Sequence, residues 1–377
     1  MLVVRQRGGS GALRWRLGGL AALVVGLVVL AVAAALVLVP WPDEQEHPHA
    51  EGNLRRLADA RGMDLGVAVA VEPLAQDSTY QDVVSGNYTS MTAENTMKWS
   101  LVQPERGGFD FSGPDALVDF ADEHGMSMRG HTLTWHNQLP GWLTEREWQE
   151  EELRQVLQEH TEALLGRYQG RMQAWDVINE PFEDDGPELR ENLWLETMGE
   201  DYIAHALWTA NAVDPEAELY INEFNVEGGG AKSDALYELA SDLLERGVPL
   251  HGIGFQSHFV HGRVPDDLVQ QMERFTDLGL DVAITELDVR IPEPVDRKQI
   301  EEQGQEYRQV VQACLEVERC PGVTVWGAAD HHSWVPEWFP GTAEALPFDE
   351  HYVPKPARSG MVDALSRRPG GGPRSDR

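Results

Sequence analysis

Eight short apolar runs, each followed by a polar loop and then a segment of helical character, limit what this chain can become more than any other feature. The runs cover residues 65–70, 88–91, 126–131, 172–178, 218–221, 252–255, 281–285 and 322–326. Segments between them, such as 150–168 and 233–246, set apolar residues three and four apart with charges between, the pattern of an amphipathic helix. Strands alternating with helices pair in parallel, because the chain crosses over between them, and a parallel sheet needs both faces covered. Eight such units close naturally into a (β/α)8 TIM barrel. The length, 377 residues, suits one large domain or two ordinary ones. No linker-like stretch interrupts the repeat, so one barrel domain is expected over residues 51–366.

The ends are of another kind. Arg5, Arg7, Arg14 and Arg16 precede an uncharged run of Leu, Val and Ala over residues 17–39, long enough to cross a hydrocarbon core of roughly 30 Å. The basic side stays inside, so residues 1–16 are expected in the cytoplasm and everything past residue 40 outside. The barrel is therefore preceded by one N-terminal hydrophobic signal-anchor segment, or by a secretory signal peptide cut after Ala33 or Ala35. Either route exports the domain. Residues 40–50 read as a polar, proline-containing linker, and residues 367–377, rich in Gly, Pro and Arg, as a disordered tail. Two cysteines only, Cys314 and Cys320, suit one local disulfide in an exported protein. A formal net charge of −33 argues against a nucleic-acid partner.

In a barrel of this type the chemistry sits where the strands end at their C-terminal side, and the polar residues of this sequence gather there. Glu94, Asn95 and Lys98 follow the second run; His131, Trp135 and His136 close the third; Asn179 and Glu180 end the fourth. Asn222 and Asn225 follow the fifth, Gln256 and His258 the sixth, Glu286 and Asp288 the seventh, Trp326 and Asp330 the eighth. Cleaving a glycosidic bond with retention takes one carboxylic acid and one nucleophilic carboxylate on opposite sides of the bond. Glu180 and Glu286, on strands facing one another across the mouth, are the candidates, with Asn179 placed to hold a sugar 2-hydroxyl. Asp288 lies two positions beyond Glu286 and shares its side of an extended strand. An imidazole between them, His258 being the best placed, would couple the three. Indole rings stack on the flat faces of sugars, and Trp135, Trp326 and Trp334 stand beside the polar rim; Trp148, Trp194 and Trp208 are expected in the core. No histidine set has metal-binding spacing, and neither metal nor cofactor is expected.

The motifs Met91-Thr-Ala-Glu-Asn-Thr-Met-Lys-Trp99, Arg129-Gly-His-Thr-Leu-Thr-Trp-His136, Trp175-Asp-Val-Ile-Asn-Glu-Pro181, Gly252-Ile-Gly-Phe-Gln-Ser-His258, Ile284-Thr-Glu-Leu-Asp-Val289 and Trp326-Gly-Ala-Ala-Asp330 stand in this order. Together they resemble glycoside hydrolase family 10, the endo-β-1,4-xylanases, over most of the chain. The resemblance implies retention, no cofactor, Glu180 as acid/base and Glu286 as nucleophile, with His258 and Asp288 supporting the latter. It further implies that His131, Trp135, Asn179, Gln256, Trp326 and Trp334 line the subsite of cleavage, that Glu94, Asn95 and Lys98 read hydroxyls in the next glycone subsite, and that Asn225 contacts substrate. It also agrees with the Cys314–Cys320 disulfide. Phe224 departs from the tyrosine usual at its position, and Asp330-His-His-Ser-Trp334, followed by Val-Pro, is an uncommon form of its loop. The expected partner is xylan or a xylo-oligosaccharide, the expected state a monomer. A retaining endo-β-1,4-glucanase and a catalytically inactive glycan-binding barrel are the alternatives, separable by rates on carboxymethylcellulose and by a reducing-end assay.

Overall fold

The computed structural model describes residues 52–367. The signal-anchor segment, the linker and the tail beyond residue 367 lie outside them. Ten strands are present among the described residues: β1 (Asp64–Val69), β2 (Ser90–Ala93), β3 (Ser127–Thr134), β4 (Ala174–Asn179), β5 (Glu218–Glu223), β6 (Gly252–Phe255), β7 (His258–Val260), β8 (Asp281–Pro292), β9 (Gly322–Val325) and β10 (Thr342–Ala343). Eight of them, β1 to β6 with β8 and β9, pair in parallel, each with its neighbour, and β9 returns to β1. The eight expected runs are thus the eight barrel strands, displaced by up to three residues at their ends, where local apolar pattern cannot see the pairing.

The seventh barrel strand is the exception. Expected over 281–285, it runs on to Pro292 because two short strands pair with its extension: β7 in parallel, and β10 antiparallel. The register sets His258 directly opposite Asp288. Strand ladders must pair somewhere, and here pairing above the barrel rim builds part of the site.

Helices cover the outside. Glu150–Arg167 and Ala231–Glu245 occupy the two segments that show helical spacing in the sequence. The helix Arg297–Glu316 opens with a capping box, the Asp296 carboxylate accepting from the Gln299 N–H at 2.9 Å while the Gln299 side chain accepts from the Asp296 N–H at 2.8 Å. It crosses the last helix, Pro356–Ser366, so closely that a β-carbon on Gly360 would lie 1.9 Å from the Gly304 carbonyl oxygen, and only glycine fits. The helix Leu54–Arg61, the first among the described residues, packs beside that pair, with Arg61 Nε donating to the Leu365 carbonyl at 2.8 Å.

The barrel interior is partly polar. Arg129 on β3 reaches Asp176 on β4 at 2.5 Å, stacks its guanidinium 4.2 Å from the Tyr220 ring centre, and is largely but not fully shielded from solvent. Burial alone would raise the Asp176 carboxyl, but Arg129 and His131 outweigh it and hold it below the usual range. Of the tryptophans expected in the core, Trp148 and Trp194 are buried, whereas Trp208 is 50% exposed. Trp208 lies on the helix Tyr202–Val213, whose buried positions Ile203, Ala206, Leu207 and Ala210 form a different stripe. Periodicity alone could not tell which side of that apolar helix would face outward. Cys314 and Cys320 form the expected disulfide, with Cα atoms 5.3 Å apart. Among the described residues no helix is long and apolar enough to cross a membrane.

Candidate active site

The C-terminal ends of the strands open into one cleft of about 820 Å³. Glu94, Asn95, Lys98, His131, Trp135, Asn179, Glu180, Asn225, Gln256, His258, Glu286, Trp326 and Trp334 all line it. Asp288 does not; it is fully buried behind His258. The disulfide is a separate feature, at the end of the helix Arg297–Glu316. Asp330, expected on the rim, turns away from the cleft to Lys355 at 2.6 Å and to the Leu346 N–H at 2.8 Å.

Glu180, directly after β4, has φ of +54°, a left-handed conformation that a residue with a β-carbon adopts at some cost. Its N–H donates to the Asn222 carbonyl at 2.9 Å. The carboxylate accepts from Trp135 Nε1 at 2.8 Å on one oxygen, and from Gln256 Nε2 at 3.1 Å and Asn179 Nδ2 at 3.3 Å on the other. His136 Nδ1 stands 3.9 Å away. Burial, with Arg190 nearby, lowers His136 to about 4, so it is neutral near pH 7.

Glu286 accepts from Asn222 Nδ2 at 2.6 Å, and its other oxygen lies 3.1 Å from His258 Nε2. His258 Nδ1 is 2.8 Å from Asp288 Oδ2, which also accepts from Trp334 Nε1 at 2.9 Å. Burial works against charge on His258, yet the field and hydrogen bond of Asp288, with help from Glu286, push it up to about 10. An imidazolium therefore sits between two carboxylates. Burial would also raise Glu286, but the His258 hydrogen bond and the positive field of His131 prevail, and the group lies below the usual glutamate range. It is an anion at neutral pH.

A chain of amides joins the two carboxylates. Asn179 donates to Glu180 and accepts from Asn222 at 2.8 Å, and the same Asn222 nitrogen donates to Glu286. Thr285 Oγ1 donates to the Asn222 side-chain oxygen at 2.6 Å and fixes which end of that amide faces the carboxylate. In the sequence Asn222 stands out only as a rim position. Its signal was the register, since Asn179 and Asn222 are partners across β4 and β5. Beside this centre, Lys98 donates to Asn95 at 3.1 Å and Asn95 to Glu94 at 3.2 Å. Burial depresses the Lys98 ammonium, while Glu286 and Glu94 pull it back up. Arg190, Arg290, Trp338 and Phe339 also line the cleft. Arg290 stands on the extension of β8 and Trp338 on the short helix Val335–Trp338, while Arg190 and Phe339 come from loops, so none of the four follows an expected strand end in the sequence.

Residues 53–364 match the model of glycosyl hydrolase family 10. The chain belongs to this family. A relative from Agaricus bisporus, an endo-1,4-beta-xylanase, is 43% identical over 75% of this chain and 85% of its own length. Endo-1,4-beta-xylanase B of Thermotoga neapolitana is 38% identical over 84% of this chain and 92% of its own. Among solved structures, xylanase 10B from Thermotoga petrophila RKU-1 in complex with xylobiose superposes with a TM-score of 0.81 at 38% identity, covering 83% of this chain and 97% of that one.

Proposed function

We propose that this family 10 protein cuts internal β-1,4-xylosidic bonds of xylan with retention of configuration, Glu286 attacking and Glu180 carrying the proton. The observation that carries the reading is the amide chain Glu180–Asn179–Asn222–Glu286, which holds an ionised carboxylate and a second carboxyl toward one another in a single cleft. In the first step a Glu286 oxygen bonds to the anomeric carbon as the bond to the leaving sugar breaks, and the Glu180 proton passes to the leaving oxygen. A glycosyl ester of Glu286 and an ionised Glu180 carboxylate result. In the second step Glu180 takes a proton from water, the water oxygen bonds to the anomeric carbon, and the ester bond breaks to return the Glu286 carboxylate. His258 and Asp288 set the charge around Glu286. Asn179 holds the 2-hydroxyl, Trp135, Trp326, His131 and Gln256 shape the same subsite, Glu94, Asn95 and Lys98 read the next glycone sugar, and Asn225 meets the leaving-group side. Trp334 closes the cleft while its indole N–H steadies Asp288.

The test uses azide. Glu180→Ala should be nearly inactive on xylan yet form the glycosyl-enzyme from an aryl xylobioside, whose phenolate leaves without a proton, and azide should restore turnover with a β-azide product. Glu286→Ala should give the α-azide. The same anomer from both variants would overturn the assignment.

Residues 17–39 are proposed to hold this domain, as a monomer, on the outer face of the cell membrane, because the uncharged run with its preceding arginines matches a signal anchor. Fractionated cells should show full-length chain with the membrane. Recovery only from the medium, beginning after Ala33 or Ala35, would sink the anchor in favour of a cleaved signal peptide.

A further inference from the structure

We propose that Asp77, His331 and His332 form a binding site for one zinc-like divalent ion, separate from the glycosidase centre. The three side chains offer ligand atoms that all lie within 4.8 Å of one another. They lie far apart in sequence: Asp77 joins the helices Val71–Gln76 and Ser78–Asn87 that follow β1, and the histidines lie in the turn Asp330–His332 that follows β9. β1 and β9 are neighbours in the barrel, so closure of the ring is what assembles the set.

The geometry is prepared on each side. Asp77 Oδ1 accepts from the N–H of Thr79 at 2.8 Å and of Tyr80 at 3.4 Å, which turns the other oxygen toward the histidines. That oxygen accepts from the Tyr352 hydroxyl at 2.7 Å, and the same hydroxyl lies 3.4 Å from His332 Nε2. The two imidazoles, adjacent in sequence, do not diverge; their ring centres are 3.9 Å apart. The Tyr80 ring meets His332 edge-on at 5.4 Å, and Tyr352 meets His331 likewise at 4.8 Å. Two imidazole nitrogens and one carboxylate suit zinc, which takes nitrogen and oxygen ligands at roughly 2.0–2.2 Å in a tetrahedron. Calcium and magnesium prefer six or more oxygens and fit this set poorly. Bonds of that length need the ligand atoms somewhat nearer than they stand, and rotation of the exposed His331 supplies the movement. The fourth position falls to water or to Tyr352.

Occupation would tie the helix junction at Asp77 to the segment that carries Trp334, since His332 and Trp334 both line the cleft. The ion would stiffen that wall without entering the chemistry.

The test is zinc chloride added to the full chain after chelator treatment, followed by calorimetry and thermal unfolding. The wild type should bind one equivalent with saturation and unfold about 3 °C higher or more at a hundredfold excess over the dissociation constant. His331→Ala and Asp77→Asn should lose that equivalent and its thermal shift while retaining xylan hydrolysis without metal. Both variants keep His47 and His49, so linker binding cannot mimic the result. Cobalt in place of zinc should give the visible absorption of a tetrahedral site in the wild type alone, a readout independent of folding stability. An equal zinc response in wild type and both variants, or no saturable binding in the wild type, would overturn the proposal.

Discussion

Asp288→Asn isolates charge from geometry more cleanly than any other change near the site. Asp288 Oδ2 accepts from both His258 and Trp334, while Oδ1 is buried with no partner. An asparagine can put its oxygen where Oδ2 stands and its amide nitrogen where Oδ1 stands, which keeps both hydrogen bonds and removes only the anion. Opposite charges about 4 Å apart at an effective dielectric of about 20 interact by about 4 kcal/mol, which is about 3 pH units at 1.36 kcal/mol each. Loss of that attraction takes His258 from about 10 back toward the ordinary imidazole range. The proton it holds across the neutral range would then leave near pH 7. The substrate should be an aryl xylobioside, because departure of its phenolate does not wait on Glu180. On it, kcat/KM of the wild type should stay level to about pH 9, whereas that of Asp288→Asn should fall above about pH 7. Nuclear magnetic resonance titration of His258 should show the same displacement. The stability sign follows: a raised histidine stabilises the fold fully below its unfolded value near 6.5, and that contribution fades as pH rises through about 10. The wild type should therefore lose stability relative to the variant as pH climbs through that window. A variant with an unchanged pH–rate profile, or an imidazole still charged at pH 9, would refute the role given to Asp288.

Two further outcomes follow from the same geometry. Asn222→Ala frees Asn179 and withdraws a hydrogen bond from the charged Glu286; at about 1.5–3 kcal/mol for a bond to a charged group, kcat should drop roughly tenfold to a hundredfold with little change in KM, and a purely KM effect would contradict the bridging role. Replacing Cys314 and Cys320 together by alanine opens a loop closed by residues six apart in sequence; the loop-entropy relation puts the loss at about 2 kcal/mol, measurable by denaturant unfolding, and an unchanged midpoint would show that the bridge does not restrain the unfolded chain.

Much of the fold can be read in the amino-acid order, because local apolar pattern reports burial on both faces and eight repeats leave one natural closure. Glu180, Glu286 and their motif neighbours are legible for a related reason: polar groups directly after apolar strands have nowhere to go but the rim. Pairing is a different matter. The extension of β8 to Pro292, the placement of His258 opposite Asp288 and the bridging of two carboxylates by Asn222 all depend on register between strands far apart in sequence. The exposure of Trp208 and the turning of Asp330 toward Lys355 depend on which neighbours the packed helices and loops bring. The chain by itself determined a parallel eightfold barrel and the kinds of group at its mouth. Only the closed structure decided their protonation, since the charge on Glu286 and His258 is set by partners that the sequence separates and the barrel brings within about 3 Å, where burial strengthens every interaction between them.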